Sequence, residues 1–270
     1  MTDSRHSRLA STQQESGTAA DETHLTEPQA LGSLSPCIGQ EEREGRKTGS
    51  PTADPSSTNS STPRPALEQL SRTELRRLLR GRRRALTAPQ QHAASQALCR
   101  RLRGLPEVLR SRRVALYLPN DGEIDATPLI RWLKRRGADT YLPVLRPLTN
   151  NALWFVRYDA GTPMVTNRFG IAEPDTRHGA HRARRLPAWA LDLILLPLVG
   201  FDEQGQRIGM GGGFYDRTLA FAHPSQGNPG PRPRLFGLAH EAQGVPRLPT
   251  AHWDVPLDAI VSDKRVVRPT

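Results

Sequence analysis

The stretch "RIGMGGGFYDR", residues 207–217, sets Gly209, Gly211, Gly212 and Gly213 between an arginine, Arg207, and an aspartate, Asp216. Glycine adopts positive φ at little cost and lets a ligand approach the main chain. Successive backbone N–H groups ahead of a helix form a concavity suited to an anion such as phosphate. Arg207 can neutralise a phosphate, and Asp216 offers the hard oxygens that Mg²⁺ takes. Phe214 and Tyr215 add flat surfaces for a planar ligand. Each residue also has a plainer reading: a flexible turn, a helix cap or a partner for Arg217 at Asp216, and core packing for the aromatics. The loop fits neither standard nucleotide motif. Phe214 stands where a dinucleotide fingerprint needs its third glycine, and no Gly-Lys-Ser/Thr follows the glycines.

The surrounding chain supplies elements to hold such a loop. Ser71 with Glu74 forms a capping box before Leu75, Leu78 and Leu79, and Thr87 with Gln90 repeats it for a second helix to about Leu102. "RVALYLP" (113–119), "DTYLPV" (139–144), "ALWFVRY" (152–158), "LDLILLPLV" (191–199), "RLFGLAH" (234–240) and "LDAIVS" (257–262) read as strands, with a helix from Thr127–Pro128 to about Arg136. Apolar strands alternating with helices predict an α/β fold: a mostly parallel sheet covered by helices on both faces, a Rossmann-like three-layer domain. Such sheets bind ligands beyond the carboxyl ends of their strands. The glycine loop follows "LDLILLPLV", and Phe214, Leu219 and Phe221 are expected to share one face of the next helix. "HPSQGNPGPRPR" (223–234) reads as a mobile Pro/Gly loop.

Composition divides the 270 residues unevenly. Residues 1–62 contain no aromatic residue and no apolar period, and carry nine acids against five bases. The expected organisation is a disordered N-terminal tail at 1–65, one domain at 66–264 and a C-terminal tail at 265–270. The net charge of +11 therefore comes from the domain. Clustered cations suit nucleic acid, and "RRLLRGRRR" (Arg76–Arg84) is the one dense run. Against that, the bases are nearly all arginine and scattered, which reads as a compositional habit. Cys37 and Cys99 make neither a disulfide framework nor a metal box, in keeping with a reducing cytosol. No apolar run is long enough to span a membrane, and the N-terminus has no secretory pattern.

Five ordered motifs go further. "RTELRRLLRGRRRALT", "ALYLPNDGEIDATPLI", "FGIAEP" (169–174), "LPLVGFDEQGQRIGMGGGFYDR" (196–217) and "HWDVPLDAIVSD" (252–263) together resemble the 5-formyltetrahydrofolate cyclo-ligases, also called methenyltetrahydrofolate synthetases, over about residues 70–264. The resemblance implies a cytoplasmic, monomeric enzyme of one-carbon metabolism, with ATP as co-substrate and Mg²⁺ as cofactor. Its folate substrate would be phosphorylated on the formyl oxygen and closed by N10. The resemblance assigns ATP to Arg207, Ile208, Gly209, Met210, Gly211, Gly212, Gly213, Phe214 and Tyr215. It also assigns the nucleotide to Arg72 and Arg76, which share a helical face at i and i+4. Arg72 stands where the family has Lys. Leu118, Glu123, Phe214 and Tyr215 are implied folate contacts, Asp216 and Asp254 Mg²⁺ ligands, and Arg76, Arg207 and Tyr215 the catalytic groups. Asp121 and Asp125 read as ordinary loop acids, and Glu173 has no assigned role. Neither a nucleic acid nor a membrane partner is implied. The competing expectation is a basic nucleic-acid-binding protein without folate chemistry.

Overall fold

The computed structural model describes residues 67–149, 151–177, 184–224, 227 and 231–269. The expected tail at 1–65 lies outside them, as does part of the 223–234 loop. Both capping boxes form as the sequence requires. Ser71 N–H donates to the Glu74 carboxylate at 2.8 Å and starts α1, Arg72–Arg84. Thr87 and Gln90 start α2, Ala88–Arg103, in the same way. There follow α3 (Pro106–Arg110), β1 (Arg113–Ala115), α4 (Pro128–Arg135), β2 (Asp139–Leu145) and β3 (Leu153–Arg157). A small hairpin, β4 (Met164–Thr166) and β5 (Ala172–Pro174), precedes β6 (Arg185–Leu186) and β7 (Leu193–Pro197). A second hairpin, β8 (Gly200–Phe201) and β9 (Arg207–Ile208), leads through the glycine loop to α5 (Phe214–Thr218). The chain ends in β10 (Arg234–Ala239), β11 (Ala259–Ser262) and β12 (Val266–Val267).

One eight-stranded sheet orders these as β12-β11-β10-β7-β1-β2-β3-β6. The inner run from β11 to β2 is parallel, and the outer pairings with β12, β3 and β6 are antiparallel. From β1 the chain moves one way to β2, and from β7 the other way to β10. The strand order therefore reverses between β1 and β7, which opens a crevice beyond their carboxyl ends.

Side chains alternate across the sheet, so each strand feeds two cores. Leu193, Leu195, Phe236, Leu238, Ala259 and Val261 meet Leu98, Leu102, Val108 and Ile130 of α2, α3 and α4. Ile194, Leu196, Leu235 and Ile260 face the other way, against Leu219, Phe221, Val255 and Leu257. That second layer is built from α5, short turns and connecting segments. Leu75 and Leu79 of α1 form a third cluster with Val199 and Ile208.

Two expectations need correction. The chain beyond 264 is not a tail. Ser262 Oγ accepts N–H from Lys264 and Arg265, both at 3.0 Å, and this turn returns Val266–Val267 to pair with β11. Phe214 does not share a core face with Leu219 and Phe221. α5 is only five residues long, and the Phe214 ring meets Phe169 edge-on at 5.6 Å between centroids.

Candidate functional site

The crevice at the strand reversal is a cavity of about 1670 Å³. Of the residues that the resemblance assigns to ATP, folate or Mg²⁺, all but Ile208 line it. Ile208 is fully buried against Leu75 and Leu79, and its carbonyl accepts the Val199 N–H at 2.8 Å. An apolar side chain on the inward face of a hairpin goes to the core. Arg72 and Arg76 reach the cavity from α1, Leu118 and Glu123 from the loop after β1, and Arg207 from β9.

The glycine loop takes backbone that other residues resist. Gly211 has φ +98° and Gly213 φ +66°, the latter at the N-cap of α5. A Cβ at Gly213 would lie 2.7 Å from the Arg217 guanidinium. Arg76 fixes the loop's entry by donating Nε to the Gly209 carbonyl at 2.8 Å. Its two terminal nitrogens take no partner among the described residues, so they remain available to an anion. Burial and the neighbouring Arg72 pull the Arg76 pKa down, with Asp254 acting against them; an arginine nonetheless stays charged.

Both aspartates suggested for a metal are held by arginines. Asp254 accepts from Arg72 Nη1 at 2.8 Å and Nη2 at 3.1 Å, and from Ala251 N–H at 2.9 Å, which occupies both its oxygens. Asp216 accepts from Arg207 Nη2 at 2.7 Å and from Val255 N–H at 3.3 Å, both through Oδ1. Asp216 Oδ2 has no partner among the described residues. Arg207 is almost wholly buried, and its Nε is unpaired among them. An orphaned donor beside an open carboxylate oxygen suits a phosphate with its cation. The described residues include no cluster of three metal-ligating side chains. Mg²⁺ usually takes one or two carboxylates with phosphate oxygens and water, so this donor set fits it through Asp216, and through Asp254 once Arg72 lets go.

Glu123 and Tyr215 also line the cavity. Glu123 is nearly buried, with 12% of its side chain exposed, and accepts from Asn120 N–H at 3.1 Å. Burial pushes its carboxyl up to about 7, against the pull of Arg83. The Tyr215 hydroxyl is pushed far above its usual value by burial and by the Glu123 charge. It therefore remains protonated and can donate a hydrogen bond.

A match to the 5-formyltetrahydrofolate cyclo-ligase family spans residues 68–263. The chain belongs to that family. It is 43% identical over 191 residues to the 5-formyltetrahydrofolate cyclo-ligase of Escherichia coli strain K12, covering 70% of this chain and 98% of the relative. It is 44% identical over 189 residues to the Haemophilus influenzae enzyme of the same name, covering 70% and 94%. Among solved structures, Aquifex aeolicus 5,10-methenyltetrahydrofolate synthetase superposes with a TM-score of 0.60 at 30% identity, covering 74% of this chain and 93% of its own. A Mycoplasma pneumoniae synthetase shares the fold, with a TM-score of 0.54 at 22% identity, covering 72% and 99%.

The cyclo-ligase motifs pointed to most of the cavity wall but not to all of it. Asp121 is no ordinary loop acid: Arg80, Arg83 and Arg84 all pair with it, and they hold its carboxyl down to about 2 against the effect of burial. Its positive φ of 53° marks a turn that the "NDG" triplet could have signalled. Asp125 makes a local turn, accepting from Thr127 N–H at 2.8 Å. Glu173 acquires a structural task. It accepts from Leu145 N–H at 3.1 Å and Asn167 Nδ2 at 2.9 Å, tying the β4–β5 hairpin to the end of β2. That hairpin delivers Phe169, half exposed, to the cavity.

Proposed function

We propose that this chain converts 5-formyltetrahydrofolate to 5,10-methenyltetrahydrofolate, with ATP cleaved to ADP and phosphate. The observation that carries the reading is that one cavity at the strand reversal is lined both by Arg76, Arg207 and the glycine loop, which suit phosphate, and by Glu123, Leu118 and Tyr215, which suit a planar heterocycle. Glycine N–H groups and the free end of Arg76 suit the polyphosphate. Glu123, when ionised, would accept from pterin N–H groups, a directional task that distinguishes a planar heterocycle. Phe214 and Phe169 would flank the folate rings.

On this reading the γ-phosphoryl group passes to the formyl oxygen, N10 attacks the activated carbon and phosphate departs. Little covalent chemistry falls to the protein. Its work is to align donor and acceptor and to spread positive charge over the transferring group, which Arg76 and Arg207 can do. Tyr215, kept as a hydroxyl, would donate to an oxygen in the cavity. Mg²⁺, held by Asp216 and after rearrangement by Asp254, would supply charge neutralisation at the phosphates. The domain would be the 66–264 region extended through β12, acting in the cytosol.

The arginine run of α1 gives the nucleic-acid alternative little support. Arg76, Arg80, Arg83 and Arg84 are each paired with a carbonyl or with Asp121. The deciding experiment adds 5-formyltetrahydrofolate and MgATP to the purified chain and follows the near-ultraviolet absorbance of the methenyl product. An ATP-dependent rise is expected, and its absence overturns the assignment.

A further inference from the structure

α1 ends in three successive arginines, and the middle one points into the protein. The Arg83 side chain has 0% exposure, and a charged side chain is rarely buried that fully unless its charge and donors are matched. Its partners come from three distant segments. Nε donates to the Asp121 carbonyl at 2.8 Å, Nη1 to the Leu198 carbonyl beyond β7 at 3.2 Å, and Nη2 to Asp121 Oδ2 at 2.8 Å. Nη2 also lies 3.9 Å from Glu123 Oε1 and 4.0 Å from Met210 Sδ of the glycine loop. The turn that precedes Glu123 is strained, with φ +53° at Asp121, a conformation that needs support from its surroundings.

We propose that Arg83 is a positioning residue for Glu123: one guanidinium fixes the 121–123 turn to the end of β7 and to the glycine loop, and so places the Glu123 carboxylate in the cavity. The identity of the ligand rests on the folate reading above, whereas the coupling of Arg83 to Glu123 does not.

The groups facing Glu123 are few. Arg83 comes from α1, Asp121 from the same turn, Tyr117 from beyond β1 and Tyr215 from α5. Arg83 is the cation among them, and it opposes both the burial and the Asp121 charge that push the Glu123 carboxyl up. An opposite charge at this separation shifts a carboxyl by roughly one to three pH units. Loss of Arg83 should therefore leave Glu123 protonated at neutral pH as well as loosely held.

The test is a carbon-13 titration of glutamate carboxyls in the full chain, with the Glu123 signal assigned by its loss in Glu123→Gln. The native signal is expected to titrate near 7. In Arg83→Met it is expected to move up by about one pH unit or more. A folded Arg83→Met chain whose Glu123 titrates as in the native overturns the proposal. If Arg83→Met does not fold, Arg83→Lys decides the matter through a double-mutant cycle on KM for 5-formyltetrahydrofolate. A several-fold rise with Glu123 present, and none in the Glu123→Gln background, supports the coupling. Equal rises in both backgrounds overturn it. A native chain with no folate turnover removes the proposed function, and the carboxyl titration still tests Arg83.

Discussion

Arg72 meets Asp254 with both terminal nitrogens, at 2.8 and 3.1 Å, across 182 positions of the chain. The pair joins the first turn of α1 to the segment before β11 and closes one side of the cavity. One guanidinium cannot serve Asp254 and a polyphosphate with the same two donors. Nucleotide binding should therefore exchange one partner for the other. Arg72→Ala is expected to raise KM for ATP about tenfold, the value of a charged hydrogen bond, while KM for the folate stays within about twofold. Steady-state kinetics with each substrate varied in turn checks this, and a change confined to the folate contradicts it.

Asp216 has a double task, as partner of Arg207 and as open oxygen donor. Asp216→Asn is expected to lower turnover by about a hundredfold at ordinary Mg²⁺ and to shift the Mg²⁺ titration midpoint upward. It should also cost about 2 kcal/mol in urea unfolding, because Arg207 loses its charged partner. An unchanged Mg²⁺ midpoint would remove Asp216 from the metal site and leave only the ion pair.

Gly211 combines φ +98° with an approach to Arg76, whose Cζ would lie 3.5 Å from a new Cβ. Gly211→Val should strain the loop by roughly 1–3 kcal/mol and push Arg76 from the cavity. Calorimetry is expected to show lost ATP binding with the far-ultraviolet spectrum retained. Native affinity in the variant would mean that the loop is only a turn.

The Glu123 carboxyl titrates near 7 in the folded chain and near 4.3 when unfolded. Between those values the folded state binds the extra proton, so stability from this group is full below about pH 4 and is lost as pH rises to 7. The two limits differ by roughly 4 kcal/mol. Glu123→Gln should thus be more stable than the native chain at pH 8 and nearly equal to it at pH 4, yet bind folate weakly. His240, whose pKa is pulled down by burial, loses stability toward low pH in both proteins, so urea unfolding of the pair at the two pH values isolates Glu123.

Features that depend on neighbours in sequence were legible before the structure. Ser71–Glu74 and Thr87–Gln90 cap their helices because every participant lies within three residues. The apolar runs fixed the strands of the inner sheet. The antiparallel direction of β3 agrees with its short connection, residues 146–152 being too few for a parallel crossover. Arg83 and Asp121 were not legible, being 38 positions apart and brought together only by the fold. The engagement of Asp254 by Arg72 was equally hidden, because sequence assigns residues to a site but not their resting partners.

Along β7, adjacent side chains answer to different constraints. Leu195 is sealed among the α2–α4 helices, whereas Leu196 belongs to the other core and also touches the cavity. A screen of apolar substitutions at Leu196 should retune which ring systems the chain accepts. The same substitutions one position earlier should alter only its melting temperature. Selectivity and robustness are thus separable on a single strand by a shift of one residue.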